Sequence, residues 1–196
     1  VYYNIGQTWY KERKPEWSDM EFMIRDWVNW SWLAGDHIVE QNIHYLDVVN
    51  WYMGGQFPHS AVGFGSRQRR VTGDEFDNFS VDFVYEGDVH VHNMCRQIDG
   101  CSNKVYDFIR GTKGTAFLSD RNIHTSSPRG EKMWTYQKPS DKEVNSPYLQ
   151  EHVDMVTALR RSEPVNTAEF TAKSTLSAIM GRISAYTGKK VTWDEM

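Results

Sequence analysis

Gly35-Asp36-His37-Ile38-Val39-Glu40-Gln41-Asn42-Ile43-His44-Tyr45-Leu46-Asp47 decides how this chain is read. At about 100° per residue it separates into two faces, which predicts a helix over 37–53. Ile38, Val39, Ile43, Leu46, Val49 and Met53 share the apolar side, and His37, Glu40, Gln41, His44, Asp47 and Trp51 share the other. Asp36 is the expected N-cap, because its carboxylate can accept from the first free N–H groups. Gly54 and Gly55 are the expected stop. A surface helix normally covers such a polar face with Lys, Glu and Arg. This one carries two imidazoles, two carboxylates and an indole. Glu40, His44 and Asp47, at i, i+4 and i+7, fall on successive turns, so two carboxylates flank one imidazole that can exchange protons near neutral pH. The plainer alternative is a set of solvated polar residues on a surface helix.

The rest of the chain narrows the function classes. Its 196 residues suffice for one domain with a sizeable core. The net charge of −4 does not point to a nucleic acid or an anionic membrane as partner. No apolar run approaches the length of a membrane-spanning helix. Aromatic residues make up 14% and include eight Trp, a composition suited to interfaces and sugar-facing clefts as well as cores. Cys95 and Cys101 do not make a disulfide framework or a zinc site, although a single bridge between them stays open. The chain starts on Val1-Tyr2-Tyr3-Asn4-Ile5, already strand-like, and is expected to be part of something longer. The compartment is therefore left open, with the cytoplasm as default and an exported form allowed.

Residues 1–10 read as a strand and 11–32 as a long polar-aromatic loop with a helical turn. Beyond the 37–53 helix come short strand candidates at 61–69, 79–85, 89–95, 105–110, 116–118 and 133–137. Phe79, Val81, Phe83 and Tyr85 alternate with polar residues, as in a half-buried antiparallel strand. Glu86-Gly87-Asp88 is the expected hairpin connection, and Gly111-Thr112-Lys113-Gly114 another. Ser146-Pro147 opens one closing helix. Asn166 with Glu169 opens a second that stops at Gly188, and Val191-Thr192-Trp193 adds a last short strand. Strand, helix, strands, helices is an α+β order. It predicts a mostly antiparallel open sheet of about five to seven strands with all three helices on one face.

Other motifs carry less. Gly63-Phe64-Gly65 lacks the third glycine and the following helix of a dinucleotide fingerprint. Gly111 to Gly114 lacks the spacing of a phosphate loop. No cofactor site is therefore expected within this chain, nor useful NAD(P) affinity. His37, Glu40 and His44 do not have the spacing of a zinc helix, so no metal is expected. His90 and His92 share a strand face but lack a third ligand. Arg67, Arg69 and Arg70 read as a solvated strand edge. Arg96 can either reach a ligand or cap a sheet rim.

The run from Gly35 to Asp47, followed by Asn50-Trp51-Tyr52-Met53-Gly54, resembles the signature helix of the Gfo/Idh/MocA oxidoreductases, the family of glucose–fructose oxidoreductase and inositol dehydrogenase. The later order fits as well: the Gly-rich strand at 63–70, the hairpin 79–97, Gly111 to Gly114, and the Glu163-Pro164-Val165 turn between two final helices. Glu40 stands where that family usually has Asp, and Asn42 where Gly is common.

The resemblance implies that residues 1–196 are the family's C-terminal substrate-binding and oligomerisation domain, of dihydrodipicolinate-reductase-like fold. The N-terminal Rossmann domain, which holds NAD or NADP and supplies a catalytic Lys from a Glu-Lys-Pro motif, is outside the chain. Lys14-Pro15 lacks the Glu and takes no such role. The resemblance further implies a sugar, polyol or related hydroxyl compound as substrate. His44 would be the acid/base, Glu40 and Asp47 would orient it or hold substrate, and His37, Arg96 and Trp51 would contact substrate. A homo-oligomer through the sheet face is expected. The alternatives are a non-catalytic binding or scaffold member of the fold and an NAD-dependent glycosidase.

Overall fold

Phe79, Val81, Phe83 and Tyr85 are all buried, and the residues between them are only partly so. This alternation places strand β3 (Asn78–Tyr85) with one face on a core. The structure, a computed structural model, describes residues 1–120, 122–137, 139, 145–163 and 165–196. The chain divides into two compact units, Val1–Phe108 with Thr171–Met196, and Ile109–Phe170.

The first unit is built on β1 (Tyr2–Ile5), β2 (Ser60–Ser66), β3, β4 (Val89–Gln97), β5 (Lys104–Gly111) and β9 (Val191–Thr192). Their order is β5-β1-β4-β3-β2-β9. Every pairing is antiparallel except β1 with β4. The expected hairpin joins β3 to β4. Gly87 and Asp88 turn it with positive φ, and Tyr85 pairs with Val89 across it. The second unit contains the meander β6 (Gly114–Leu118), β7 (Ile123–Ser126) and β8 (Lys132–Thr135), and α5 (Pro147–Arg160). Nine strands among the described residues exceed the five to seven expected. β7 was not foreseen, since Ile-His-Thr-Ser is too short and polar to show a period. Residues 11–32 hold more order than a loop with one turn: α1 (Asp19–Arg25), a 3₁₀ turn at Trp27–Asn29, and α2 (Ser31–Ala34), which begins there.

The predicted 37–53 helix is two helices. α3 (Asp36–Glu40) and α4 (Ile43–Tyr52) are separated by Gln41 and Asn42. The N–H groups of both Gln41 and Asn42 go to the His37 carbonyl, and His44 N–H reaches Gln41 rather than Glu40. Asn42 is fully buried and donates its amide to Asn93 on β4 at 2.9 Å, which explains the break: a buried carboxamide must find a partner, and the sheet supplies one. The helix stop is as expected, with Gly54 and Gly55 at positive φ and their N–H groups on Trp51 and Asn50.

Asp36 is not the cap. It is fully buried at φ +67 and makes a junction. Its carboxylate accepts from Phe76 N–H, the Tyr186 hydroxyl and Arg182 Nε (2.7 Å), which holds a left-handed conformation that costs roughly 1–3 kcal/mol. Arg70 is likewise not on a solvated edge. β2 has ended at Ser66, and the Arg70 guanidinium is buried in a 3.0 Å ion pair with Glu75 and in hydrogen bonds to Asn29 and Gln97. Arg67 and Arg69 are exposed.

α3, α4 and α6 (Ala168–Thr187) cover one sheet face, where Ile38, Leu46, Val49, Ala178 and Met180 join Val81, Phe83 and Tyr85 in one core. α6 has both expected ends. Asn166 accepts from Ala168 N–H, and Gly188 closes on the Ser184 carbonyl. α5 has the expected Ser146 cap, but it belongs to the second unit. Pro164 of the expected turn lies outside the described residues. Cys95 is buried and Cys101 half-buried, and both are free thiols.

Candidate functional site

α4 carries His44, Asp47 and Trp51 at i, i+3 and i+7, on one face. His44 and Trp51 are exposed and Asp47 half-buried. Glu40 ends α3, on the near side of the two-residue break. The carboxylates and the imidazole therefore belong to two helices rather than to successive turns of one. The His44 imidazole makes no hydrogen bond or ion pair with the described residues.

Each carboxylate, by contrast, is tethered. The Tyr3 hydroxyl on β1 donates to Gln41 Oε1 at 3.2 Å, and Gln41 Nε2 donates to Glu40 Oε1 at 3.0 Å. Glu40 Oε2 is buried and has no partner. Asp47 Oδ1 accepts from the Ser174 hydroxyl of α6 at 2.6 Å. Ser174 accepts from Asn50 Nδ2 at 3.0 Å, and Asn50 Oδ1 accepts from the Tyr85 hydroxyl at 2.8 Å. An ionised carboxylate offers only acceptors, so both chains have a single polarity that ends on negative charge. The site thus presents an exposed imidazole with no side-chain partner among the described residues, and two held carboxylates.

Two residues expected to contact substrate lie elsewhere. His37 is 1% exposed, with Nε2 3.2 Å from the Tyr3 carbonyl and its ring tilted against Tyr3. Arg96 pairs with Asn78 and Asn4 in the sheet, one residue out of phase with the buried Cys95 and Gln97. It therefore points from the sheet face opposite α3 and α4, where its guanidinium donates to the Ser102 carbonyl. His90 and His92 share that face, with His90 Nδ1 2.7 Å from Asp82. The pleat parity was readable in the sequence, but which parity faces the helices was not. No role at the site was read there for Ser174, Asn50 or Tyr85, although Tyr85 was placed on the half-buried strand and Asn50 in the run that carries the family resemblance. The signal for Ser174 is the run of small residues Ser174, Ser177, Gly181 and Ser184 along α6.

Burial lowers the His37 ring to about 4, well below its ordinary 6.5. The native state therefore takes up its proton later than the unfolded chain does. The stability this contributes is complete above about pH 6.5 and is lost as pH falls through about 4. It amounts to about 3 kcal/mol for a ring with no solvent to screen it. Urea melts between pH 7 and pH 4 should show this loss, and His37→Gln should flatten it. An equal slope in the variant would assign the acid sensitivity to other groups.

Among the described residues no cluster of three or more His, Cys, Asp and Glu is placed to hold a metal. The glycines do not form a phosphate cradle. Gly63 lies inside β2, where a Cβ would meet Val81 at 2.7 Å, and Gly111 to Gly114 turn β5 into β6.

No protein-family model matches the chain, and no curated protein matches it in sequence. Solved structures do. Aldose–aldose oxidoreductase from Caulobacter crescentus, complexed with glycerol, superposes with a TM-score of 0.68 at 13% identity, over 97% of this chain and 53% of that one. The fold is that of the C-terminal domain of Gfo/Idh/MocA-type oxidoreductases. Myo-inositol 2-dehydrogenase from Lactobacillus plantarum shares this Gfo/Idh/MocA fold at TM-score 0.62 and 18% identity, over 98% of this chain and 56% of its own. Scyllo-inositol dehydrogenase from Lactobacillus casei, with bound NAD(H) and scyllo-inositol, matches 81% of this chain and 48% of its own at TM-score 0.58 and 16% identity. The chain spans about half the length of these proteins.

Proposed function

We propose that this chain is the substrate-binding and oligomerisation half of an NAD(P)-dependent oxidoreductase acting on a hydroxyl group of a sugar, polyol or related compound. The observation that carries the reading is the exposed His44 imidazole, without a side-chain partner among the described residues, on the α4 face that carries Asp47, with tethered carboxylates at Asp47 and, at the end of α3, Glu40. A held acceptor on the same helix as an exposed proton carrier suits removal of a hydroxyl proton as the carbon loses hydride. In this reading His44 takes the proton, and Asp47 and Glu40 orient the ring or the substrate. Trp51 offers an apolar face to a sugar ring. His37 supports β1 against α3 from within rather than touching substrate, and Arg96 serves the opposite face.

The described residues offer no pyrophosphate cradle, so NAD or NADP falls to a Rossmann domain elsewhere in a longer protein, where the nicotinamide would supply the hydride acceptor. Similarity to dinucleotide-dependent sugar and inositol enzymes of twice the length supports this division. The test is nicotinamide absorbance with a panel of aldoses and polyols, using the longer protein. Turnover supports the reading. Silence across the panel would favour a binding module, and glycoside cleavage with retained cofactor would favour a glycosidase.

The open sheet face is the proposed self-association surface. It carries Val62 at 48% and Phe64 at 70% exposure, apolar area that water disfavours. Sedimentation should show a dimer or larger species that Phe64→Glu dissociates. A wild-type monomer across a wide concentration range would remove the proposal.

A further inference from the structure

We infer that Ser174 is a positioning residue for Asp47, so that α6 sets the geometry of the site through one hydrogen bond. The inference rests on the proposed function for its meaning, though not for its geometry. Three buried serines line the inner side of α6: Ser174, Ser177 and Ser184. Ser177 donates to the Lys173 carbonyl one turn back, and Ser184 donates to the Lys189 carbonyl beyond the helix end while accepting from Gly63 N–H of β2, so neither hydroxyl meets a side chain of α4. Ser174 instead turns its hydroxyl across to another helix. Its single proton must go to Asp47, because an ionised carboxylate only accepts and the Asn50 Nδ2 amide only donates.

The anchor behind it is rigid. Asn50 is 0%, Tyr85 1% and Ser174 2% exposed, and each contributes one link of the chain. Asp47 itself is half-buried at the end of that chain, on the α4 face that carries His44. A donor at 2.6 Å to a carboxylate is a charge-assisted bond. It fixes which oxygen faces the core and leaves the other for the imidazole or substrate. A residue that holds an acid in one rotamer acts on the rate of a reaction without touching the reacting atoms.

Three variants decide the matter. Ser174→Ala removes the donor, Ser174→Thr keeps a hydroxyl, and Ser177→Ala removes a buried α6 hydroxyl that does not face Asp47. In the 196-residue chain, the ¹³C signal of the Asp47 side-chain carboxyl at pH 7 should move in Ser174→Ala and stay in place in Ser177→Ala. Ser174→Thr should bring it back toward the wild-type position. In the longer protein, Ser174→Ala should lower kcat/KM roughly 10-fold, the worth of one hydrogen bond to a charged group, and displace the acid limb of the pH profile. Ser177→Ala should do neither. An Asp47 signal in Ser174→Ala that matches Ser177→Ala would overturn the inference, whether or not turnover is found. A fully active His44→Ala protein would overturn the acid/base role of His44 instead, absence of turnover across the panel would overturn the proposed function, and in either case the carboxyl signal would still decide for or against Ser174.

Discussion

His44→Ala should lower turnover of the longer protein roughly 10²–10⁴-fold, the range for losing a general acid/base. The imidazole is exposed and makes no hydrogen bond with the described residues, so its removal leaves no buried partner unsatisfied. The apolar anchors of α4, Leu46 and Val49, are on the other side and stay in place. The melting temperature should therefore hold while activity falls. Glu40→Gln should cost less if that carboxylate orients the ring or binds a hydroxyl, since an amide still offers an acceptor oxygen. The informative pair of measurements is turnover and thermal stability on the same protein. A stable and fully active His44→Ala enzyme would remove the acid/base assignment. A variant that unfolds would make His44 a structural residue.

Phe83→Ala should cost about 3–5 kcal/mol of folding stability, the usual range for a buried phenylalanine. Phe83 is 0% exposed at the centre of β3, where its ring meets Gly181 of α6. A Cβ at Gly181 would come within 2.6 Å of Phe83 Cζ, so α6 rides on the ring because the glycine has no side chain. Gly181→Ala alone should destabilise. Overpacking of about 1–3 kcal/mol outweighs the gain of roughly 0.5–1 kcal/mol that alanine brings to a helix interior. In the Phe83→Ala background the ring clash is gone and a tight 3.2 Å contact with Val81 Cγ1 is left, so the same substitution should cost much less or become neutral. Urea denaturation of the four proteins measures the coupling directly. Additive effects would show that α6 does not approach the sheet this closely.

Features with a local cause were readable along the chain. The β3–β4 hairpin follows from strict alternation and a Gly-containing turn, and α6 from its polar cap and terminal glycine. The stop of α4 at Gly54 and Gly55 is a matter of backbone freedom at those two positions. Such signals span a few residues, and the physics that reads them is short-ranged. The polar face of 37–53 was legible for the same reason, and with it His44, Asp47 and Trp51.

The errors concern residues whose partners are far away in sequence. Asn42 looked like one more helical position, yet its bond to Asn93 splits the helix, and no periodicity records that demand. Asp36 looked like a cap and is instead the meeting point of Phe76, Arg182 and Tyr186. Arg70 looked like surface charge and lies inside, because Glu75, Asn29 and Gln97 together compensate its desolvation.

Patterning and turn chemistry by themselves determined an α+β chain with a mostly antiparallel sheet, and a helix face carrying His44, Asp47 and Trp51. Tertiary structure alone decided which of those groups share a site. It buried His37, sent Arg96 to the opposite sheet face, and brought Ser174 to Asp47 across 127 positions of sequence. The physical reason is that a buried polar atom must find its partner wherever the fold places one, and the identity of that partner is a property of packing rather than of neighbouring residues.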